Sequence, residues 1–196
     1  MNKLKLNVRK VGGIMKKIFL SLAVITLGLM GFLLYNHNKT PIKEDIFNIT
    51  KNWSPATEEV YLVKEIDGEW LTIFKGPHSI MIARLEQNWL GFWKIKDELG
   101  KERTLASSYY PAPQDQEFTW SGHSNEDKYS YYFGQILNPN IKKIEVETQK
   151  NSFEEALIIH TGEGRFYLAK SNGKLVLPMN ISAFSETGEL IYSTVK

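Results

Sequence analysis

Residues 60–75 read VYLVKEIDGEWLTIFK, in which two strand-length runs rich in apolar and β-branched residues, 60–65 and 70–75, flank Asp67-Gly68. A type I′ turn needs two residues that tolerate positive φ, so Asp-Gly between two such runs is a strong short-range mark of a β-hairpin. The same grammar continues toward the C-terminus. Gly76-Pro77 turns the chain into a strand over 80–86, followed by a strand over 90–96, a turn at 98–101 and a strand near 103–107. Strands this closely spaced imply an antiparallel meander.

Tyr109-Tyr110-Pro111-Ala112-Pro113 interrupts the rhythm, because two prolines cannot feed a central ladder. A crossover is expected there. Beyond it the pattern predicts strands near 118–122, 129–137, 141–148, 154–161, 165–170 and 174–177, with a last hairpin over 181–192. The turns are Asn138-Pro139-Asn140, Gly162-Glu163-Gly164, Asn172-Gly173 and Thr187-Gly188. Ile144, Val146 and Thr148 alternate with Lys143, Glu145 and Glu147, which is the pattern of a sheet with one wet face. The fold class read from these features is mainly β: an antiparallel sandwich or open barrel of about ten or more short strands.

Upstream of the hairpin the period is helical. Ile42, Ile46, Ile49 and Trp53 form one stripe, Thr40-Pro41 reads as an N-cap followed by proline at the first helical position, and Ser54-Pro55 reads as the end. Further upstream, residues 18–35 (IFLSLAVITLGLMGFLLY) contain no charge. At ~1.5 Å per residue they give about 27 Å of helix, enough to cross hydrocarbon. No small-residue cleavage pattern follows, so an uncleaved anchor is favoured over a cleaved signal. The domain reading is therefore a basic cytoplasmic segment (1–17), a transmembrane anchor (18–35), a linker with a short helix (36–56) and an extracytoplasmic β domain (57–196), with possible sub-halves 57–108 and 114–196.

The net charge of +2 conceals an asymmetry. Lys3, Lys5, Arg9, Lys10, Lys16 and Lys17 precede Ile18 with no acid among them, which leaves 18 basic against 22 acidic residues in the remainder. The positive-inside rule then places the N-terminus in the cytoplasm and the β domain outside, whether Met1 or Met15 starts the chain. A mildly acidic body argues against nucleic acid as a partner. The absence of cysteine excludes disulfides, thiolate metal sites, a cysteine nucleophile and a lipid-modified cysteine.

The run from Val60 through Gly91-Phe92-Trp93-Lys94, with Tyr132-Phe133-Gly134-Gln135-Ile136, Ile141-Lys142-Lys143-Ile144-Glu145-Val146 and the Ala183-Phe184, Gly188, Leu190-Ile191-Tyr192 ending, resembles membrane-anchored, β-rich extracytoplasmic proteins of low-GC Gram-positive bacteria. The resemblance implies an exported location and carries no site residues.

The chemistry-bearing residues are dispersed. His37, His78, His123 and His160 have no metal-ligand spacing, and no metal or other cofactor is expected. Ser121-Gly122-His123-Ser124 with Asp127 contains the letters of a catalytic triad, but triad members come from separate elements, so the stretch 121–128 reads as a solvated hairpin loop. Adjacent acids such as Glu154-Glu155 point to opposite faces of a strand and make no shared-proton pair. The tryptophans are expected mainly in the core. Tyr109 and Tyr110 beside the prolines are open between a packed crossover and an exposed contact patch. The candidate contact residues for a ligand or partner are Tyr109, Tyr110, Trp120 and His123, with no catalytic residue assigned. The function read from these features is a non-enzymatic binding or scaffolding module of the cell envelope, contacting another envelope protein or a wall component. A hydrolase or transferase of envelope polymers and a membrane-anchored sensor or immunity-type protein are the alternatives.

Overall fold

The computed structural model describes residues 2–53 and 56–195, with side chains from residue 15 onward. Ser54-Pro55, read above as the end of the short helix, lies outside the described residues. The chain divides into two compact units: the N-terminal segment through Thr40 together with Gln87–Phe92, and Pro41–Glu86 together with the chain from Trp93 onward.

The first unit is built on helix α1 (Asn2–Asn38). Its stretch Met15–Asn38 is long and apolar enough to cross a membrane, extending the 18–35 expected from the sequence at both ends. Phe19 and Leu27 are 65% and 68% exposed. Apolar side chains left uncovered along this length have no means of leaving water except lipid or another apolar surface.

The second unit is mainly β. It opens with α2 (Lys43–Thr50), which starts later than the Thr40-Pro41 reading requires. Ile42 has extended backbone angles and its N–H donates to the Asp45 carboxylate at 3.2 Å, so the acid inside the first turn ties down the start in place of a threonine cap. Ile46 is fully buried and Ile49 and Trp53 pack beside it, while Ile42 is half exposed and leaves the stripe.

Thirteen strands follow among the described residues. The first sheet contains β1 (Glu59–Ile66), β2 (Glu69–Lys75), β3 (Ser79–Gln87) and β4 (Trp93–Ile95) in that order, with β5 (Ala106–Tyr109) also paired to β3. The Asp67-Gly68 hairpin forms as read, both residues having positive φ. Two expectations shift. The strand over 90–96 shrinks to β4, because residues 88–92 close a turn in which the Asn88 side chain accepts from the N–H groups of Leu90 and Phe92. The strand near 103–107 moves to β5, because Asp97 draws the preceding segment into a side-chain-anchored turn.

The second sheet runs β10 (Leu157–His160), β11 (Arg165–Asn172), β7 (Tyr129–Ile136), β6 (Ser121–Asn125). The third runs β13 (Leu190–Ser193), β12 (Ile181–Phe184), β8 (Lys143–Gln149), β9 (Ser152–Glu155). All the registers described are antiparallel.

The expected single strand over 154–161 is two strands in two sheets. Ala156, buried and donating its N–H to the Ile144 carbonyl at 2.8 Å, is the corner between β9 and β10. The stretch 121–128, read as a loop, is instead strand β6 plus a tight turn, because Glu126 and Asp127 both take positive φ and, with Lys128, close a three-residue hairpin loop onto β7. The strand expected over 174–177 is absent. Leu175 packs into the core there and the Val176 N–H donates to the Tyr132 hydroxyl at 3.2 Å rather than to a ladder.

Three apolar clusters order the layers of this unit. Ile46 of α2 packs with Phe74, Met81, Leu85 and Ile95 on one face of the first sheet. The other face supplies Leu71, Ile73 and Ile82, which meet Tyr131, Phe133 and Phe166 of the second sheet. The second sheet's opposite face, with Tyr132 and Tyr167, packs on Ile144, Val146 and Ile181 of the third. The second sheet is thus buried on both faces, which is why β7 and β11 read as near-continuous apolar and aromatic runs.

Candidate functional site

Strand β5 edges one sheet, β6 edges the next, and the segment 116–120 passes between them. A cleft of about 780 Å³ lies here. Its floor is a buried hydroxyl relay: Ser108 donates to the Thr119 hydroxyl at 2.7 Å, that oxygen also accepts from the Gln135 N–H at 2.8 Å, and Tyr167 donates to the Thr119 carbonyl at 3.1 Å. Ser121, whose hydroxyl is hydrogen-bonded to the Ser107 carbonyl, ties β6 to β5.

The rim is aromatic. Tyr109 is 73% and Trp120 40% exposed, and both line the cleft. In β5, Ala106 and Ser108 are buried while Ser107 and Tyr109 are exposed, so strand alternation delivers a hydroxyl and an aromatic face on the same side. His78, Thr104, Gln116 and His123 add polar groups. Among the described lining residues none is Asp, Glu, Lys or Arg. Partial desolvation, and then the nearby Arg103 guanidinium, hold the His123 pKa below the ordinary histidine value, which favours the neutral ring.

Asp97 anchors the segment leading into the cleft. It is 1% exposed and accepts from the N–H groups of Leu99 and Lys101, each at 2.8 Å, from Asn125 Nδ2 at 2.9 Å and from Arg103. Burial works against its ionisation, but these donors outweigh it and the pKa lies below the ordinary carboxylate value. Next to it, Glu98 accepts from the Tyr131 hydroxyl and pairs with Lys170 at 2.7 Å. There too the donors overcome burial and lower the carboxyl pKa. The turn between β4 and β5 is therefore pinned to β6 and β7, which sets the position of Thr104 and β5.

Three of the four residues singled out in the sequence, Tyr109, Trp120 and His123, come together at this cleft. Tyr110 does not. It is partly buried against the core between the first two sheets, with the Lys75 ammonium 4.9 Å from its ring centre. Ser124 lies on the strand face opposite His123, and Asp127 is paired to Lys174 at 3.1 Å, so the apparent triad letters are dispersed. No group of three or more metal-ligating side chains occurs among the described residues. His78, Ser107, Gln116 and Met179 were not legible as cleft residues, since His78, Gln116 and Met179 lie on segments outside the strands; the signal available was the polar Ser-Ser-Tyr run at 107–109.

Of the tryptophans, Trp70 and Trp93 pack edge to face at 5.6 Å and Trp53 meets Phe74, whereas Trp89 and Trp120 are exposed. Compared with family models, with curated proteins and with solved structures, the chain matches none.

Proposed function

We propose that this is a single-pass membrane protein, N-terminus inside, whose extracytoplasmic β domain is a non-enzymatic binding module for an uncharged, hydroxyl-rich ligand such as a saccharide segment of the cell envelope. The anchor rests on α1 and the orientation on the six basic residues before Ile18. The resemblance noted above accords with an exported location. The observation that carries the ligand class is the cleft itself. Exposed Tyr109 and Trp120 offer flat apolar faces beside hydroxyl, amide and imidazole groups, and no described lining residue is Asp, Glu, Lys or Arg. Such a surface stacks on a sugar ring and hydrogen-bonds its hydroxyls without demanding a charge. Hydrolysis by paired carboxylates needs two acids flanking the bond, and the described lining residues include neither.

The test is a titration of the full-length protein in detergent with a neutral N-acetylhexosamine oligomer, followed by tryptophan fluorescence. Saturable binding is expected, weakened about tenfold or more in Trp120→Ala, equivalent to ~1.4 kcal/mol. Equal affinity of the wild type and the Trp120→Ala and Tyr109→Ala variants would remove the cleft from the reading. Binding of an uncharged peptide but of no saccharide would replace the ligand class.

A further inference from the structure

The end of α1 is clasped by the loop Gln87–Phe92, which belongs to the same compact unit. Gln87 Nε2 donates to the Asn36 carbonyl at 2.9 Å, a helix-end oxygen that also accepts from the Lys39 N–H at 3.2 Å, and Asn36 Nδ2 donates to the Leu90 carbonyl at 3.2 Å. His37 Nε2 lies 3.3 Å from the Trp89 carbonyl. Gly91, at φ +81°, permits the close approach: a Cβ there would lie 2.6 Å from Asn36 Cβ and 2.8 Å from its carbonyl carbon. Phe92 meets Phe32 edge to face at 6.1 Å. Asn36 is consequently buried, although it stands beside an otherwise bare apolar helix.

Several aromatic rings at this clasp are exposed. Trp89 is 77% exposed, Tyr35 72% and Phe92 49%. The loop, QNWLGF, contains no charged residue. Phe32 belongs to the uncharged 18–35 run, so the ring that packs on it lies at the depth of that run's outer end. Amphipathic Trp and Tyr rings collect at the level where hydrocarbon gives way to headgroups, each presenting an apolar body and a polar tip.

We infer that the Gln87–Phe92 loop is a second membrane contact, seated in the outer headgroup region with Trp89 and Phe92 inserted beside Tyr35, its occupant the lipid surface rather than a protein. The inference rests on the reading of α1 as a membrane anchor, to which it adds an interfacial collar. An aromatic surface held in fixed register with the helix resists vertical sliding and rotation of the span, as interfacial anchors do.

The test uses the full chain in phosphatidylcholine vesicles carrying nitroxide lipids, with the spin label either near the glycerol carbonyls or near the chain ends. A fluorophore on Leu29→Cys, in a chain with no native cysteine, reports the span. The shallow nitroxide is expected to quench part of the wild-type tryptophan emission, and that part is lost in Trp89→Phe, a substitution at an exposed ring that leaves the fold intact. Gln87→Ala, which releases the clasp and keeps the tryptophan, is expected to lower the same quenching. If the Leu29 probe is quenched by the deep nitroxide while wild type and Trp89→Phe are quenched equally, the collar is overturned and the anchor stands. If neither lipid quenches the Leu29 probe, the anchor itself fails and the collar with it.

Discussion

Asp97 is the residue on which the cleft-forming segment depends most. Four donors converge on one buried carboxylate, so its removal leaves several of them unsatisfied at once. Asp97→Ala is expected to cost about 3 kcal/mol in urea unfolding, a figure near the lower end for a broken buried pair because Arg103 retains partial access to water. The pH dependence follows from the depressed pKa. Between the folded value and the higher unfolded one the unfolded chain binds the proton, so the stabilisation is complete above the ordinary aspartate range near pH ~4 and is lost as pH falls through the folded value. Asp97→Asn should flatten that acid limb; an unchanged limb would assign it to other groups. The sequence reading passes over Asp97, which falls between the strand expected over 90–96 and the turn expected at 98–101. Arg103 meets it from within the same connection between β4 and β5, whereas Asn125 reaches it from the end of β6, a long-range contact that no local pattern encodes.

At the scale of elements, β7 shows how a strand is constrained from both faces. Gly134 pairs with Tyr167 and lies where a Cβ would collide with the Thr119 carbonyl oxygen and stand 2.6 Å from its carbonyl carbon. Backbone cannot retreat as a side-chain tip can, so Gly134→Ala is expected to lose about 3 kcal/mol or more, or to prevent folding. Gly162→Ala, where a Cβ would meet nothing within 4 Å, is the control and should stay within about 0.5 kcal/mol. Comparable denaturation midpoints for the two variants would contradict the packing argument. Strand existence was largely legible, since alternation and turn residues act locally: the hairpins at Asp67-Gly68 and Thr187-Gly188 form as read. What failed was non-local. The break at Ala156 depends on two sheets dividing one run of residues, and the loss of the strand at 174–177 depends on the Tyr132 hydroxyl taking the Val176 N–H.

At the scale of the whole molecule, charge asymmetry and one apolar helix make a prediction about topology. Because the chain has no cysteine, a single Thr187→Cys, in an exposed turn, and a single Lys5→Cys can each be treated with a membrane-impermeant maleimide on intact cells. Labelling of the first and protection of the second are expected. The reverse result would invert the orientation, and label on a protein released into the medium without residues 1–35 would replace the anchor with a cleaved signal. Within the β unit, the middle sheet belongs to two cores at once through Tyr131 and Phe133 on one side and Tyr132 and Tyr167 on the other.

The sequence by itself determined the apolar span, the basic residues before it, the mainly β class and most strand positions. These are properties of composition, of period and of turn chemistry, which act over a few neighbouring residues. It also singled out Tyr109, Trp120 and His123 as chemically conspicuous. Only the tertiary structure decided that these three share a cleft while Tyr110 joins the core, that one run of residues divides between two sheets, and that Gln87–Phe92 clasps the end of α1. The reason is that each of these depends on which strand edges and helix ends become neighbours. That choice is made by the burial of whole faces and the pairing of distant backbone groups, and neither is written in any local window of the chain.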